Sequence, residues 1–364
     1  MAKFFCAEAS RQAEEDIIGT ATPYATYVLV ECPTPWAFEA FDSPAIPQNL
    51  RNLVEAVRCA KLPIRFLLIT QRQRKSHQTK LLIYTLPGHR LCFFKRGAGG
   101  EPLAGGNAPT PPLNQDLWDG AVYQQESQKF AGGYIRSEWN LDGLEQVADV
   151  VKGYLVGTRT SEVEQPQDLR DILICTHGIH DQCCARYGLP FYRQALATVS
   201  ALNLNHVRIW KASHFGGHRF APTAIDFPNG RYYGVLDDPS LQTILTRTGD
   251  IHSLHRVYRG WGILPAPLQV LERKLMLDYG WDWFSYKIMH TILEQRENND
   301  WIRAELAFEL PDGTIYTYRA ELIQDDCKTL CLKGSCSATK AATFVKYAVD
   351  KLDLHSVKPI YLSA

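Results

Sequence analysis

Twice along the chain the same order recurs: a short apolar strand, a helix-length segment, a second apolar strand, then hairpin-forming strands. In the first round ATYVLVEC (25–32) reads as a strand, and NLRNLVEAVRCAK (49–61) sets Leu50, Leu53, Val54 and Val57 on one helical face. IRFLLIT (64–70), LLIYTL (81–86) and LCFFK (91–95) read as three further strands. In the second round DILIC (171–175) precedes a helix predicted from about Pro190 to Leu202, followed by HVRIW (206–210). TAIDF and RYYGVL come next, joined by Pro228, Asn229 and Gly230, and Asn-Gly is a strong two-residue turn signal. One recipe used twice predicts an internal pseudo-repeat of α/β (α+β) character.

Punctuation between the rounds suggests the domain limits. GAGGEPLAGGNAPTPP (97–112) is a glycine- and proline-rich loop, and SEVEQPQD (161–168) is a polar linker. The expected units are therefore 1–165, 166–258 and a C-terminal accessory α+β region, 259–364. In that last region YGWDWFSYKIMHTILEQ (279–295) reads as helix, and WIRAELAFEL and TIYTYRAEL read as a hairpin about Pro311, Asp312 and Gly313. A chain of 364 residues is long for one core, which agrees with several packed units.

Thirty-nine basic and thirty-nine acidic residues cancel, so no net field draws nucleic acid or an anionic membrane, and neither is expected as a partner. Apolar runs such as IRFLLI are strand-sized and too short to span a bilayer. The start, MAKFFCAEASRQAEEDI, is unlike a secretory leader, which makes a cytoplasmic protein the expectation. Ten cysteines in that setting read as reduced thiols or metal ligands rather than disulfides.

Chemistry concentrates in ILICTHGIHDQCCARYGLP (172–190). If DILIC and HVRIW are parallel strands joined by a right-handed crossover, their carboxyl ends share one rim of the sheet, where ligands of open α/β sheets collect. Cys175 closes the first strand, Cys184 lies ahead of the helix, and the second strand runs into SHFGGH, bringing His214 and His218 to the same rim. Singly, each reads more simply as a core thiol or a turn histidine; jointly they make a complete four-ligand set. The zinc-protease pattern H-E-x-x-H is absent, since Phe215 stands at its glutamate position. Eight residues between Cys175 and Cys184 are wide for structural zinc, yet spacing alone leaves zinc and a two-iron two-sulfur cluster near even.

CTHGIHDQCCARYG (175–188), HFGGHRFAPTAIDFPNGRYYGVL (214–236), FCAEASRQAEEDIIGTA (5–21) and YRGWGILPAPLQVLE (258–272) together resemble the sucrase/ferredoxin-like family. The resemblance implies thioredoxin-like units, two in tandem here. One of them is a ferredoxin domain holding a [2Fe-2S] cluster through two cysteines and two histidines, which fall on Cys175, Cys184, His214 and His218. Cys183 is then the substitute ligand should the register slip by one, and His177 and His180 read as exposed rather than as supporting donors. Cys32 ends the first strand as Cys175 ends its counterpart, but no second cysteine follows in the next loop and His77 stands alone after the next strand, so that unit is expected to carry no cluster. Cys327, Cys331 and Cys336 read as buried residues ahead of a redox pair or a metal site lacking a fourth ligand. Lys211, Arg186 and Arg219 read as solvated cations.

The function expected is single-electron transfer through the cluster, coupled to protons through the imidazoles. No G-x-G-x-x-G fingerprint follows a strand, so electrons would come from and go to other proteins or small redox molecules. Two rivals stand beside it. One is an interaction module with structural zinc in the same residues; the other is a glycoside hydrolase acting on sucrose, which needs a carboxylate pair. No pair, Asp237 and Asp238 included, is distinguished by context.

Overall fold

The computed structural model describes residues 3–71, 78–93, 121–125, 129–161 and 168–359. His77, the glycine-rich loop at 97–112 and the expected boundary at 165 lie outside the described residues.

The first round comprises α1 (Cys6–Gln12), β1 (Thr26–Glu31), α2 (Gln48–Cys59), β2 (Ile64–Thr70), β3 (Thr79–Thr85), β4 (His89–Phe93), β5 (Ala121–Gln125), β6 (Ile135–Leu141) and α3 (Val147–Leu155). The second comprises β7 (Arg170–Cys175), α4 (Gln182–Ala201), β8 (Val207–Ala212), β9 (Ala224–Phe227), β10 (Arg231–Tyr233), α5 (Asp238–Thr246) and β11 (Tyr258–Trp261). Pairing runs β2-β1-β3-β6 in one half and β8-β7-β9-β10 in the other. In each half the first two strands are parallel and the next two antiparallel. Four strands of each half thus repeat in order and direction and the class is α+β, but LCFFK (β4), expected as the fourth strand of the first round, pairs with β5 outside this sheet and β6 takes its place.

Both halves belong to one nine-stranded sheet, joined where β2 meets β8 at Ile69–Ala212 and Thr70–Lys211. That sheet folds back on itself. Tyr84 of β3 stacks on Phe227 of β9 with ring centroids 4.3 Å apart, although strands five places apart in a flat sheet lie about 24 Å from each other. Strand alternation divides the buried residues accordingly. Val28 and Val30 face the core under α2 and α3, Ile172 and Ile174 face that under α4 and α6, and Tyr27, Leu29, Leu173 and Cys175 meet between the halves.

The C-terminal region contains α6 (Ala266–Tyr279), β12 (Lys287–Gln295), β13 (Trp301–Glu309), β14 (Ile315–Gln324), β15 (Leu330–Leu332), β16 (Ala342–Phe344) and β17 (Tyr347–Lys358). The β13–β14 hairpin turns at Pro311–Gly313 as expected. The helix expected over 279–295 does not form: α6 stops at Tyr279, Gly280 leaves helical space with φ of 71°, Gly280–Ser285 is a 3-10 turn, and KIMHTILEQ is strand β12 paired along β13. Sheet pairing and the burial of Ile288 override the local pattern there.

A second correction bears on the site. The helix after β7 begins at Gln182 rather than Pro190, because Asp181 accepts the Cys183 N–H as N-cap; Pro190 sits inside the helix. Cys183 and Cys184 are therefore first-turn helical residues, not parts of the approaching loop.

Residues 3–24 pack on the second half and the C-terminal region. Arg219 donates twice to the buried Glu15 carboxylate, Lys346 donates to it at 2.9 Å, and Arg273 grips Asp16 bidentately at 2.7 and 2.8 Å.

Candidate metal centre

Cys175 is the last residue of β7, and Cys184 faces it from the first turn of α4. The close approach depends on Gly188, where a Cβ would meet the Cys175 carbonyl oxygen at 2.0 Å. His214 follows β8 by two residues. Gly216 and Gly217 then take φ of 95° and 78°, so the chain turns sharply into the 3-10 turn His218–Phe220 and returns the second imidazole to the first. A Cβ on Gly217 would strike the Arg259 guanidinium.

His214 Nδ1 lies 3.8 Å from Cys175 Sγ and 3.7 Å from Cys184 Sγ, while its Nε2 is 3.3 Å from His218 Nδ1. His218 Nε2 lies 2.6 Å from the Gly334 carbonyl oxygen. A carbonyl only accepts, so His218 carries its proton on Nε2 and presents a lone pair at Nδ1. His214 must then carry its proton on Nε2, which leaves the Nδ1 lone pair towards the sulfurs.

The electrostatics favour the metal-binding forms of three of the four residues. Burial, and then the neighbouring His180 and His218, push the His214 pKa down to about 2, and burial also lowers that of His218, so both rings are neutral donors. Burial opposes ionisation of Cys175, but the hydrogen bond from Cys184 and the backbone N–H groups of His177 and Phe215 outweigh it and hold the thiol below its ordinary value. Cys184, donating to it, is raised. Soft sulfur and imidazole donors so placed suit a metal of the zinc or iron–sulfur class.

All four expected residues reach one rim, in two overlapping groups. Cys175, Cys184 and His214 present donor atoms within 4.8 Å of one another, and His180, His214 and His218 form a second such group. Cys183 is turned about 100° away from Cys184 around the helix and lies instead with Cys6 and Cys336. His177 is buried, contrary to expectation: it contacts the Ala37 carbonyl at 2.8 Å through Nε2 and accepts the His214 N–H at 3.3 Å through Nδ1. His180 is half-buried, stacked on His214 at 4.1 Å and on Phe38 at 4.8 Å. Arg219 is not a solvated cation but the partner of Glu15, with its guanidinium 3.7 Å from the centre of the Phe344 ring. Arg186 is largely exposed beside Glu8, and the Lys211 ammonium lies over the Tyr192 ring.

Three supporting residues were not singled out in the sequence. Arg65 donates to the His214 carbonyl at 2.8 Å, and Asp181 caps α4. Arg259, fully buried, donates to Gly216 O at 3.2 Å and Thr20 O at 2.6 Å, bracing the glycine turn. Its place in YRGWG was the one available signal. A cavity of about 310 Å³, lined in part by Phe38, Arg51, Arg58 and Arg65, opens onto His180 and His214.

Fold and site together define an α+β protein with clustered cysteine and histidine side chains able to hold a metal. The family model described as sucrase/ferredoxin-like matches residues 17–260, and the chain belongs to that family. No curated protein and no solved structure matches it. No helix among the described residues is long and apolar enough to cross a membrane.

Proposed function

We propose that this protein is a single-electron carrier that holds a [2Fe-2S] cluster through Cys175, Cys184, His214 and His218. The observation that carries the reading is the two-group layout. One tetrahedral zinc needs all its donors within about 3.8 Å of each other, from bonds of about 2.0–2.3 Å. Here the two sulfurs and His214 form one group, while His218 sits on the far side of His214 with its own group. Donors spread over two adjoining groups support a two-metal core over a single ion.

Once bound, such a cluster supplies reversible one-electron chemistry at a potential raised by its neutral imidazole ligands. The chain's residues hold and orient. Gly334 keeps the His218 proton at Nε2, so that Nδ1 is its donor atom, and His177 and Arg65 fix the His214 backbone. The protons at His214 Nε2 and His218 Nε2 are those available for release when the site's charge changes. The cavity over His180 and His214 is the route for a protein or small-molecule electron donor or acceptor.

The test is an absorption and paramagnetic-resonance spectrum of anaerobically purified protein before and after dithionite. A brown protein that bleaches and acquires a reduced-cluster signal is expected; a colourless protein with zinc at these residues overturns the proposal. A hydrolase reading finds no support in Asp237 and Asp238, since Asp237 caps α5 through the Ser240 N–H and Asp238 accepts from Thr198 and Gln242.

A further inference from the structure

One residue away from the Cys/His group, a second cluster closes around Cys183. Its sulfur lies 3.6 Å from Cys6 Sγ and 3.3 Å from Cys336 Sγ, and those two are 3.7 Å apart. The Asp181 carboxylate completes the set, with Oδ1 3.8 Å from Cys6 Sγ and 3.2 Å from Cys336 Sγ. Cys6, Cys183 and Asp181 are buried and Cys336 is half-buried.

Tetrahedral zinc with bonds of about 2.3 Å to sulfur and 2.0 Å to oxygen sets its sulfurs about 3.8 Å apart and the oxygen about 3.5 Å from each. The observed triangle of sulfurs and its carboxylate apex approach those separations. The Asp181 carboxylate is held in place by the N–H groups of Cys183 and Cys336, each at 2.9 Å, which aims it at the three sulfurs. Backbone N–H groups face two of the sulfurs, although the Cys183 contact and burial oppose ionisation of Cys6 and burial opposes that of Cys336. The Cys183 sulfur faces the Ala7 N–H and the Cys336 sulfur the Cys6 N–H, and the cluster sits at the N-terminus of the 20-residue α4.

We infer that Cys6, Cys183, Cys336 and Asp181 form a structural zinc site, separate from the Cys/His centre. Binding releases the protons of the three thiols, and the ion joins the N-terminal segment, α4 and the loop after β15. That loop also carries Gly334, whose carbonyl holds His218, so the zinc positions a residue of the neighbouring centre.

Metal analysis on the full chain separates the two sites. In a Cys175→Ser/Cys184→Ser variant, about one zinc per chain is expected to remain; in Cys6→Ser/Cys336→Ser zinc is expected to fall at least tenfold. Because the latter variant risks misfolding, Asp181→Asn, which keeps the N-cap acceptor, provides a milder second case with zinc lowered and helix content unchanged. Cobalt(II) substituted into the Cys175→Ser/Cys184→Ser variant should give the sulfur-to-metal absorption of a tetrahedral thiolate site. Absence of zinc and cobalt binding in that variant, zinc retained in Cys6→Ser/Cys336→Ser, or a Cys183–Cys336 disulfide in anaerobically purified protein overturns the inference.

Discussion

The two halves of the sheet share strand order and direction, yet among the described residues only one gathers metal-binding side chains. Cys32 follows β1 as Cys175 ends β7, and both thiols are buried. After Cys175 the chain turns at once into α4 and delivers Cys184. After Cys32 it runs through an apolar loop in which Trp36 donates to the Cys32 carbonyl and Phe41 packs on Phe66. The first half gives its loop to its twin: Ala37 and Phe38 hold His177 and His180 through their carbonyls, and Phe38 covers His180. A common topology makes a common rim; what the rim does is decided by a few loop residues.

The sharpest way to break this contrast is to exchange the thiols. Cys184→Ser and His214→Ala should each remove the iron altogether, while Cys32→Ser should leave iron per chain unchanged. Equal losses by elemental analysis would show that the halves are not functionally distinct.

Next in size is the anchoring of the second half to α6. Arg231 and Glu272 pair at 2.7 Å with both side chains fully buried. Glu272→Ala strands the guanidinium and should cost about 3–5 kcal/mol in denaturant unfolding. A loss below about 1 kcal/mol would mean that water reaches the pair.

Gly188→Ala probes the approach of α4 to β7 directly, since its Cβ has no room beside the Cys175 carbonyl. Overpacking of about 1–3 kcal/mol is expected, together with weaker metal retention than wild type. Wild-type metal content in this variant would show that the α4–β7 spacing does not set the site.

The smallest effect concerns acid. Burial opposes the Asp16 charge, but the hydrogen bonds and charge of Arg273 prevail and hold its carboxyl at about 2. A carboxyl lowered on folding stabilises the protein above its unfolded pKa of about 3.9, and that contribution fades as pH falls towards 2. On the order of 2 kcal/mol should vanish across that window, and Asp16→Asn should flatten the profile. An unchanged slope would locate the acid sensitivity elsewhere.

The repeat and four rim residues were legible in the sequence because strand periodicity and the crossover rule act over short stretches. Cys175 ends β7 and His214 follows β8 by two residues, while Cys184 and His218 open the helix and the 3-10 turn that come next, so topology predicts their rim. Cys6 and Cys336 were not legible as partners of Cys183, since the N-terminal segment, α4 and the loop after β15 are far apart in the sequence. The helix start was missed because Pro190 outweighed Asp181, although an aspartate two residues before a Cys-Cys pair is an ordinary cap. His177 was read as exposed because nothing local signals that the loop of the other half will cover it.

The contact between His218 and Gly334 has a consequence for biogenesis. A ribosome makes residues 175 to 218 long before residue 334, so a nascent chain displays the sulfurs and imidazoles while the carbonyl that selects the His218 tautomer is still unmade. For the centre proposed above, maturation would therefore follow synthesis, when the distal segment has docked. Truncations ahead of residue 334 would leave a chain with every donor atom and no means of aiming the last one.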